Sequence, residues 1–272
     1  MFDLSGVSYS RYDIKRGLCL PTALTADLAE FIGIIVGDGH VGVHSTKKIV
    51  DVHYEVWISG NLKEREYYVG YVNDLIHRIF NIRFNHKPSA YMNTFNLRFC
   101  SKALYLFLHK VIGIPQRKDK IIIPSCILDG DSVVRKAFLR GLYDADGCLT
   151  IKFKPHPYPV IQARFKSQEL TLGCALLFER LGICSNVRKD VTVREEKVST
   201  GYRVDICGKQ NVALFLREIG FANVYKTFRF YNYFCLETHL TRFERATSSL
   251  EGWHSIQAEL QVHLKEGVSR VI

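Results

Sequence analysis

Phe31-Ile32-Gly33-Ile34-Ile35-Val36-Gly37-Asp38-Gly39 and Leu139-Arg140-Gly141-Leu142-Tyr143-Asp144-Ala145-Asp146-Gly147 are two versions of one pattern, set 108 residues apart. Each is an apolar segment with small residues four apart, Gly33 and Gly37 in the first and Gly141 and Ala145 in the second, ending in an acid and a glycine. Residues i and i+4 share one face of a helix. Each segment therefore carries a stripe smooth enough for a second backbone to approach closely. If the stripes pack together, the helices end side by side, and Asp38 and Asp146 meet at the seam. An Asp-Gly pair alone is a common turn signal. Two of them, closing matched apolar helices, bring two carboxylates to the negative ends of two helix dipoles. That arrangement is costly without cations and is a natural seat for a divalent metal, which beside phosphate means phosphodiester chemistry.

The chain continues in parallel from each motif. Twenty-one residues after Asp38 comes Ser59, closing the alternating segment His53–Ile58; the same interval from Asp146 reaches Ser167, closing Val160–Phe165. Both segments have strand composition. Trp57 and Phe165 are expected to face the core and not to stack on bases. Helical stretches follow, about Glu64 to Phe80 and Glu169 to Leu181, then strands Phe95 to Cys100 and Tyr202 to Cys207. Each unit closes on Ile112-Gly113-Ile114 or Ile219-Gly220-Phe221. The duplication covers about residues 25 to 230 and implies an α+β fold of two pseudo-symmetric αββαββα repeats, motif helices packed at the centre. The expected layout is an approach segment over 1–24, a first repeat over 25–114, a linker over 115–136, a second repeat over 137–235 and a tail over 236–272. Thr25 is the expected N-cap of the first motif helix.

The formal net charge is +10 and the pI about 9.2, which points to a polyanionic partner. Residues 236–272 hold five acids against four Lys and Arg, so the tail is net −1 and residues 1–235 carry +11. Eight cysteines never come closer than ten residues apart, which argues against a zinc site. They read as buried free thiols. The apolar run Phe31–Val36 is too short to span a bilayer. The expected location is cytoplasmic, or organellar if intron-encoded, and neither secreted nor membrane-bound.

The paired motifs resemble those of the LAGLIDADG homing endonucleases. The second matches closely, with its Phe138-Leu139-Arg140 lead-in; the first departs at Val36, where an acid often stands, and keeps the glycines and terminal Asp-Gly. The resemblance implies a saddle of antiparallel strands on double-stranded DNA, and a monomer acting as a pseudo-dimer. It implies Mg²⁺, with Mn²⁺ as a substitute, held by Asp38 and Asp146 with main-chain carbonyls near Gly37 and Ala145. It also implies lysines beyond each repeat's last helix approaching the scissile phosphate. Lys120 and Lys226 match those positions, and Lys118 competes with Lys120. Candidate outward DNA contacts are Lys47, Lys48, Tyr54, Lys152, Lys154, Arg164, Arg188, Arg194 and Arg203, since strands alternate faces. The expected activity is metal-dependent cleavage of both strands of a long, imperfectly palindromic target. Intron RNA maturase and catalytically silent DNA-binding regulator are the rivals; the intact acids favour the nuclease. No splicing residues are recognised at either end, so a free-standing or intron-encoded enzyme is expected.

Overall fold

Thr25 starts the first motif helix, its hydroxyl accepting the Leu28 N–H, and Asp131 starts the second, its carboxylate accepting the Val134 N–H. The computed structural model describes residues 1–45, 52–88, 93–153, 158–194 and 197–228. The chain divides into two units, Met1–Val224 and Tyr225–Ile272. After α1 (Arg11–Lys15), the first repeat runs α2 (Ala26–Gly37), β1 (Gly39–Ser45), β2 (Val52–Asn61), α3 (Asn73–Phe80), β3 (Asn85–Pro88), β4 (Thr94–Cys100) and α4 (Lys102–Leu106). A 3₁₀ turn (Lys118–Lys120) and α5 (Ser125–Leu128) lead into the second repeat. It runs α6 (Ser132–Asp146), β5 (Gly147–Lys152), β6 (Tyr158–Phe165), α7 (Gln168–Arg180), β7 (Asn186–Arg194), β8 (Lys197–Cys207) and α8 (Lys209–Glu218). Two antiparallel four-stranded sheets result, ordered β1-β2-β4-β3 and β5-β6-β8-β7. This is the expected duplicated α+β fold.

The motif helices α2 and α6 pack backbone to backbone. A Cβ on Gly33 would run into the Phe138 carbonyl and stand 2.7 Å from the Leu142 nitrogen; one on Gly141 would run into the Glu30 carbonyl. At Gly37 the obstacle is the Ala145 methyl, 2.5 Å away. A buried polar strap reinforces the seam, with Glu30 of α2 paired to Arg140 of α6 and accepting the Tyr71 hydroxyl at 2.7 Å. The glycines after the two aspartates are set by space. A Cβ on Gly39 would lie 2.5 Å from the Ile35 carbonyl oxygen, and one on Gly147 as close to that of Tyr143. Aromatic clusters back the sheets, Phe31 against Phe80 at 5.0 Å in one repeat and Tyr143 against Phe178 at 5.3 Å in the other.

The sequence reading departs from the structure at several points. Helix α6 begins at Ser132, five residues before the expected start, because Asp131 caps a first turn that lies outside the repeated motif. The linker also contains α5. The stretch from Glu64 to Phe80 is three segments, the end of a 3₁₀ turn, a π-helical turn (Tyr67–Val72) and α3. Of the seven cysteines described, only Cys174 is buried, though none is disulfide-bonded. Residues 46–51, 89–92, 154–157, 195–196 and 229–272 lie outside the described set, and with them Lys47, Lys48, Lys154 and the tail.

A register difference overturns one alignment. Gly39 pairs with Ile58, whereas Gly147 pairs with Ala163, so the sheets match at an offset of 105 residues where the motifs match at 108. The slip is odd and a strand's side-chain period is two, so the inside and outside of β2 exchange. Ser59 lies within β2, while Ser167 caps α7. Trp57, expected inside, is on the outward face, stacked on His40 with ring centroids 3.9 Å apart. Tyr54, expected outside, turns toward the helices and sets its ring 5.1 Å from that of Tyr105 on α4. Phe165 is in the core, as expected.

Candidate active site at the ends of the motif helices

Close packing of α2 and α6 delivers their C-termini to one place. A Cβ on Gly37 would be 3.4 Å from Asp146 Oδ2. Both Asp146 and Asp38 act electrostatically on the Lys118 ammonium. The three functional groups therefore share one locality. Asp38 is oriented by Tyr68, a buried side chain of the π-helical turn whose hydroxyl donates to Oδ2 at 2.6 Å. Burial and the Asp38 charge push the Tyr68 phenol well up, so it remains a proton-bearing donor.

Lys118 Nζ donates to the Val36 carbonyl at 3.0 Å and also contacts the Gly37 carbonyl, at the negative end of α2. Burial holds this lysine below its ordinary value, and the Asp146 and Asp38 carboxylates pull it back up. Lys120, on the same 3₁₀ turn, is exposed, so the lysine brought to the carboxylates is Lys118 and the assignment to Lys120 is corrected. A three-residue 3₁₀ turn aims side chains two apart in different directions, so only one of the pair can reach inward. Lys226 lies in the second unit, in the helical turn over residues 224–228. A pocket of about 230 Å³ joins Gly37, Lys118 and Asp146 to Arg164 and Lys166, the last a cation that the sequence reading missed.

The donor set suits a hard cation. Two carboxylates and main-chain carbonyls already facing an ammonium are oxygen ligands of the kind Mg²⁺ takes, with substrate phosphate and water supplying the rest. Among the described residues no three His, Cys, Asp or Glu side chains cluster as a metal cage. Asp144 has a different job. It is fully buried and accepts the Ala222 and Asn223 N–H groups, both at 3.0 Å, which ties the end of the second repeat to α6. Val36 at the matching place in α2 makes no such bond through its side chain, and its carbonyl serves Lys118 instead.

Of the expected outward cations, Lys152, Arg164, Arg188 and Arg203 do share the outward face of the second sheet. Only the backbone of Arg194 is described. On the first sheet the outward face carries Arg98 paired to buried Glu55, with Asn96 and the Trp57 stack. Arg98 was legible in the alternation of Thr94–Cys100 and was overlooked.

Residues 134–220 match the family described as LAGLIDADG-like domain. The chain is 29% identical over 203 residues to the replication factor C small subunit of Methanocaldococcus jannaschii, a stretch that is 72% of this chain and 9% of that protein. It is 27% identical over 208 residues to the tRNA-splicing ligase RtcB of Pyrococcus furiosus, 71% of this chain and 21% of that one. The chain thus spans between about a tenth and a quarter of the length of the curated relatives it matches. Among solved structures it is similar to variants of the homing endonuclease I-DmoI, with 18% identity, a TM-score of 0.53, and coverage of 72% of this chain and 95% of that one. It is similar also to the I-LtrWI LAGLIDADG homing endonuclease bound to target DNA, with 13% identity, a TM-score of 0.50, and coverage of 87% and 97%. No helix among the described residues is long and apolar enough to cross a membrane. Residues 134–220 are thus a LAGLIDADG-like domain, and the chain has the two-motif fold of these homing endonucleases, with an acid closing each motif helix.

Proposed function

We propose that this protein is a homing endonuclease that hydrolyses both strands of a long, imperfectly palindromic double-stranded DNA with Mg²⁺ or Mn²⁺. The observation that carries the reading is the meeting of Asp38 and Asp146 at the ends of two packed helices, with Lys118 beside them. A divalent cation held there supplies Lewis-acid activation of water and of the scissile phosphodiester. Asp38 and Asp146 bind and orient it, and the Tyr68 hydroxyl fixes the Asp38 rotamer. Lys118 places positive charge where charge builds on the phosphate oxygens. The outward sheet faces hold the duplex as one chain supplying both halves, so the half-sites can differ. Similar structures support the reading, since I-DmoI has been solved in complex with DNA and Mn. The curated relatives support mobility. Their names cover a replication factor and an RNA ligase, and a module shared by proteins of such unlike activity is expected to move between hosts.

The direct test is to incubate the full chain with a randomised or genomic duplex library in Mg²⁺ and sequence the cut ends. Recovery of one long target cut on both strands is the expected result; intact DNA under all divalent ions would sink the nuclease reading. Binding to the recovered target should weaken by about 10³-fold or more between roughly 50 and 200 mM salt, because a core of charge +11 releases counterions from many phosphates. A flat log–log plot would contradict phosphate tracking.

Lys118→Met should lower the cleavage rate on the order of 100-fold, the scale of losing one electrostatic stabiliser. Lys120→Met should stay within about twofold, since surface changes away from a site are usually near neutral. Equal losses in single-turnover assays would return Lys120 to the site.

A further inference from the structure

The outward face of the second sheet is an arginine row built on a buried carboxylate. Arg164, Arg203 and Arg188 are direct partners across the three adjacent strands β6, β8 and β7. Asp205, one row away on β8, is only 5% exposed at its side chain and pairs with Arg188 at 2.5 Å, Arg203 at 3.2 Å and Lys152 at 3.9 Å. Arg164 is tied down separately. Its Nε donates to Asp190 Oδ2 at 2.7 Å and its Nη2 to the Ser199 carbonyl at 3.2 Å. The guanidinium lies over Gly201, where a Cβ would stand 2.7 Å from Cζ.

Arg188 and Arg203 are held differently, because they share the one carboxylate of Asp205 instead of the Asp190 and Ser199 contacts that hold Arg164. Their side chains remain 46% and 23% exposed while anchored to Asp205. A guanidinium has five N–H donors in a rigid fork, and an ion pair with one shared carboxylate leaves part of that fork to project outward. Anchoring removes rotamer freedom that a free arginine would lose on binding, which raises geometric selectivity. A preset fork in the major groove matches the O6 and N7 acceptors of guanine. The carboxylate that could instead accept from cytosine or adenine amino groups lies beneath the arginines. Among the described residues the first sheet carries one such arginine and no row: Arg98, 37% exposed, is paired to buried Glu55 beside the Trp57 and His40 stack.

We propose that the second sheet is a guanine reader: Arg188 and Arg203, positioned by Asp205, each take the major-groove edge of a guanine, so the half-site under the second repeat carries two guanines close together. This rests on the DNA-binding reading above. Strands lie about 4.8 Å apart and bases rise about 3.4 Å, so neighbouring arginines address guanines one or two base pairs apart.

The experiment is a binding selection with the full chain on a fully randomised duplex library in Ca²⁺, followed by sequencing of the retained DNA. The expected result is two guanine columns within one half of the recovered site. Arg188→Gln and Arg203→Gln should each flatten one column and weaken the selected target roughly ten- to hundredfold, with random duplex changed by less than about threefold. Asp205→Asn should blur both columns together, a readout that mere loss of fold stability does not produce. Columns unchanged in the arginine variants, with affinity falling equally on all sequences and the salt slope dropping by about one, would assign these residues to phosphates and overturn the proposal. Retained DNA with no paired guanines would overturn it while leaving DNA binding intact. No retention of any duplex would remove the DNA-binding reading and this proposal with it.

Discussion

Asp38→Asn and Asp146→Asn are each expected to cut double-strand cleavage on the order of 1,000-fold or more while DNA affinity stays within a few-fold. Loss of a metal-binding carboxylate removes several kcal/mol of transition-state stabilisation, and each 1.4 kcal/mol is tenfold in rate. Folding should be spared. In the Asp38→Asn variant the remaining amide oxygen can still accept the Tyr68 hydroxyl, now 2.6 Å from Asp38 Oδ2, so stability should move by no more than a hydrogen bond's net worth, about 1 kcal/mol. Asp144→Asn is the contrasting variant. Its two oxygens accept the Ala222 and Asn223 N–H groups in a buried setting. An amide there can accept through only one oxygen, so the cost of about 1–3 kcal/mol should fall on stability. Single-turnover cleavage, filter binding and calorimetry on the three variants separate the roles. Full cleavage in Mg²⁺ by either the Asp38→Asn or the Asp146→Asn protein would remove that acid from the mechanism.

Gly33→Leu and Gly141→Leu should be the most damaging substitutions for folding. Overpacking an ordinary core position costs about 1–3 kcal/mol, taken up by side-chain shifts. Here the first obstacle is backbone, the Phe138 carbonyl for Gly33 and the Glu30 carbonyl for Gly141, and neither can yield unless the helices separate. A loss beyond about 3 kcal/mol is therefore expected, a large part of the roughly 5–15 kcal/mol that holds most domains folded. In melting temperature that is at least about 6–12 °C for a chain of this size. Gly37→Leu should cost less than Gly33→Leu, because the Ala145 methyl is its nearest obstacle. Val133, 58% exposed on the same α6 as Gly141, is the suitable control. Melting curves for Gly33→Leu and Val133→Leu that coincide would mean the helices do not meet along this stripe.

Architecture and the two acids were legible in the amino-acid order alone. Small residues four apart permit one kind of contact, close helix packing, and that contact alone brings Asp38 beside Asp146. Both statements follow from helical periodicity and need no knowledge of the rest of the chain. The repeat was legible for the same reason, since each half must bury one sheet face against its own helices.

Register and the direction of long side chains were settled only in the folded chain. Residues between the motifs and β2 differ in number between the halves, and an odd difference exchanges the faces of a strand; this carried Trp57 outward and Tyr54 inward. Counted from the closing glycines, Lys118 stands five residues on and Lys120 seven, against six for Lys226, so spacing favoured neither. The choice came from the 3₁₀ turn, which sends Lys118 to the carbonyls of α2 and leaves Lys120 in water. Asp144 and Asp146 are two residues apart in one motif, yet one is a buried tie and the other faces the pocket. Asp205 shows the same limit, because its hold on Arg188, Arg203 and Lys152 exists only once three strands are paired.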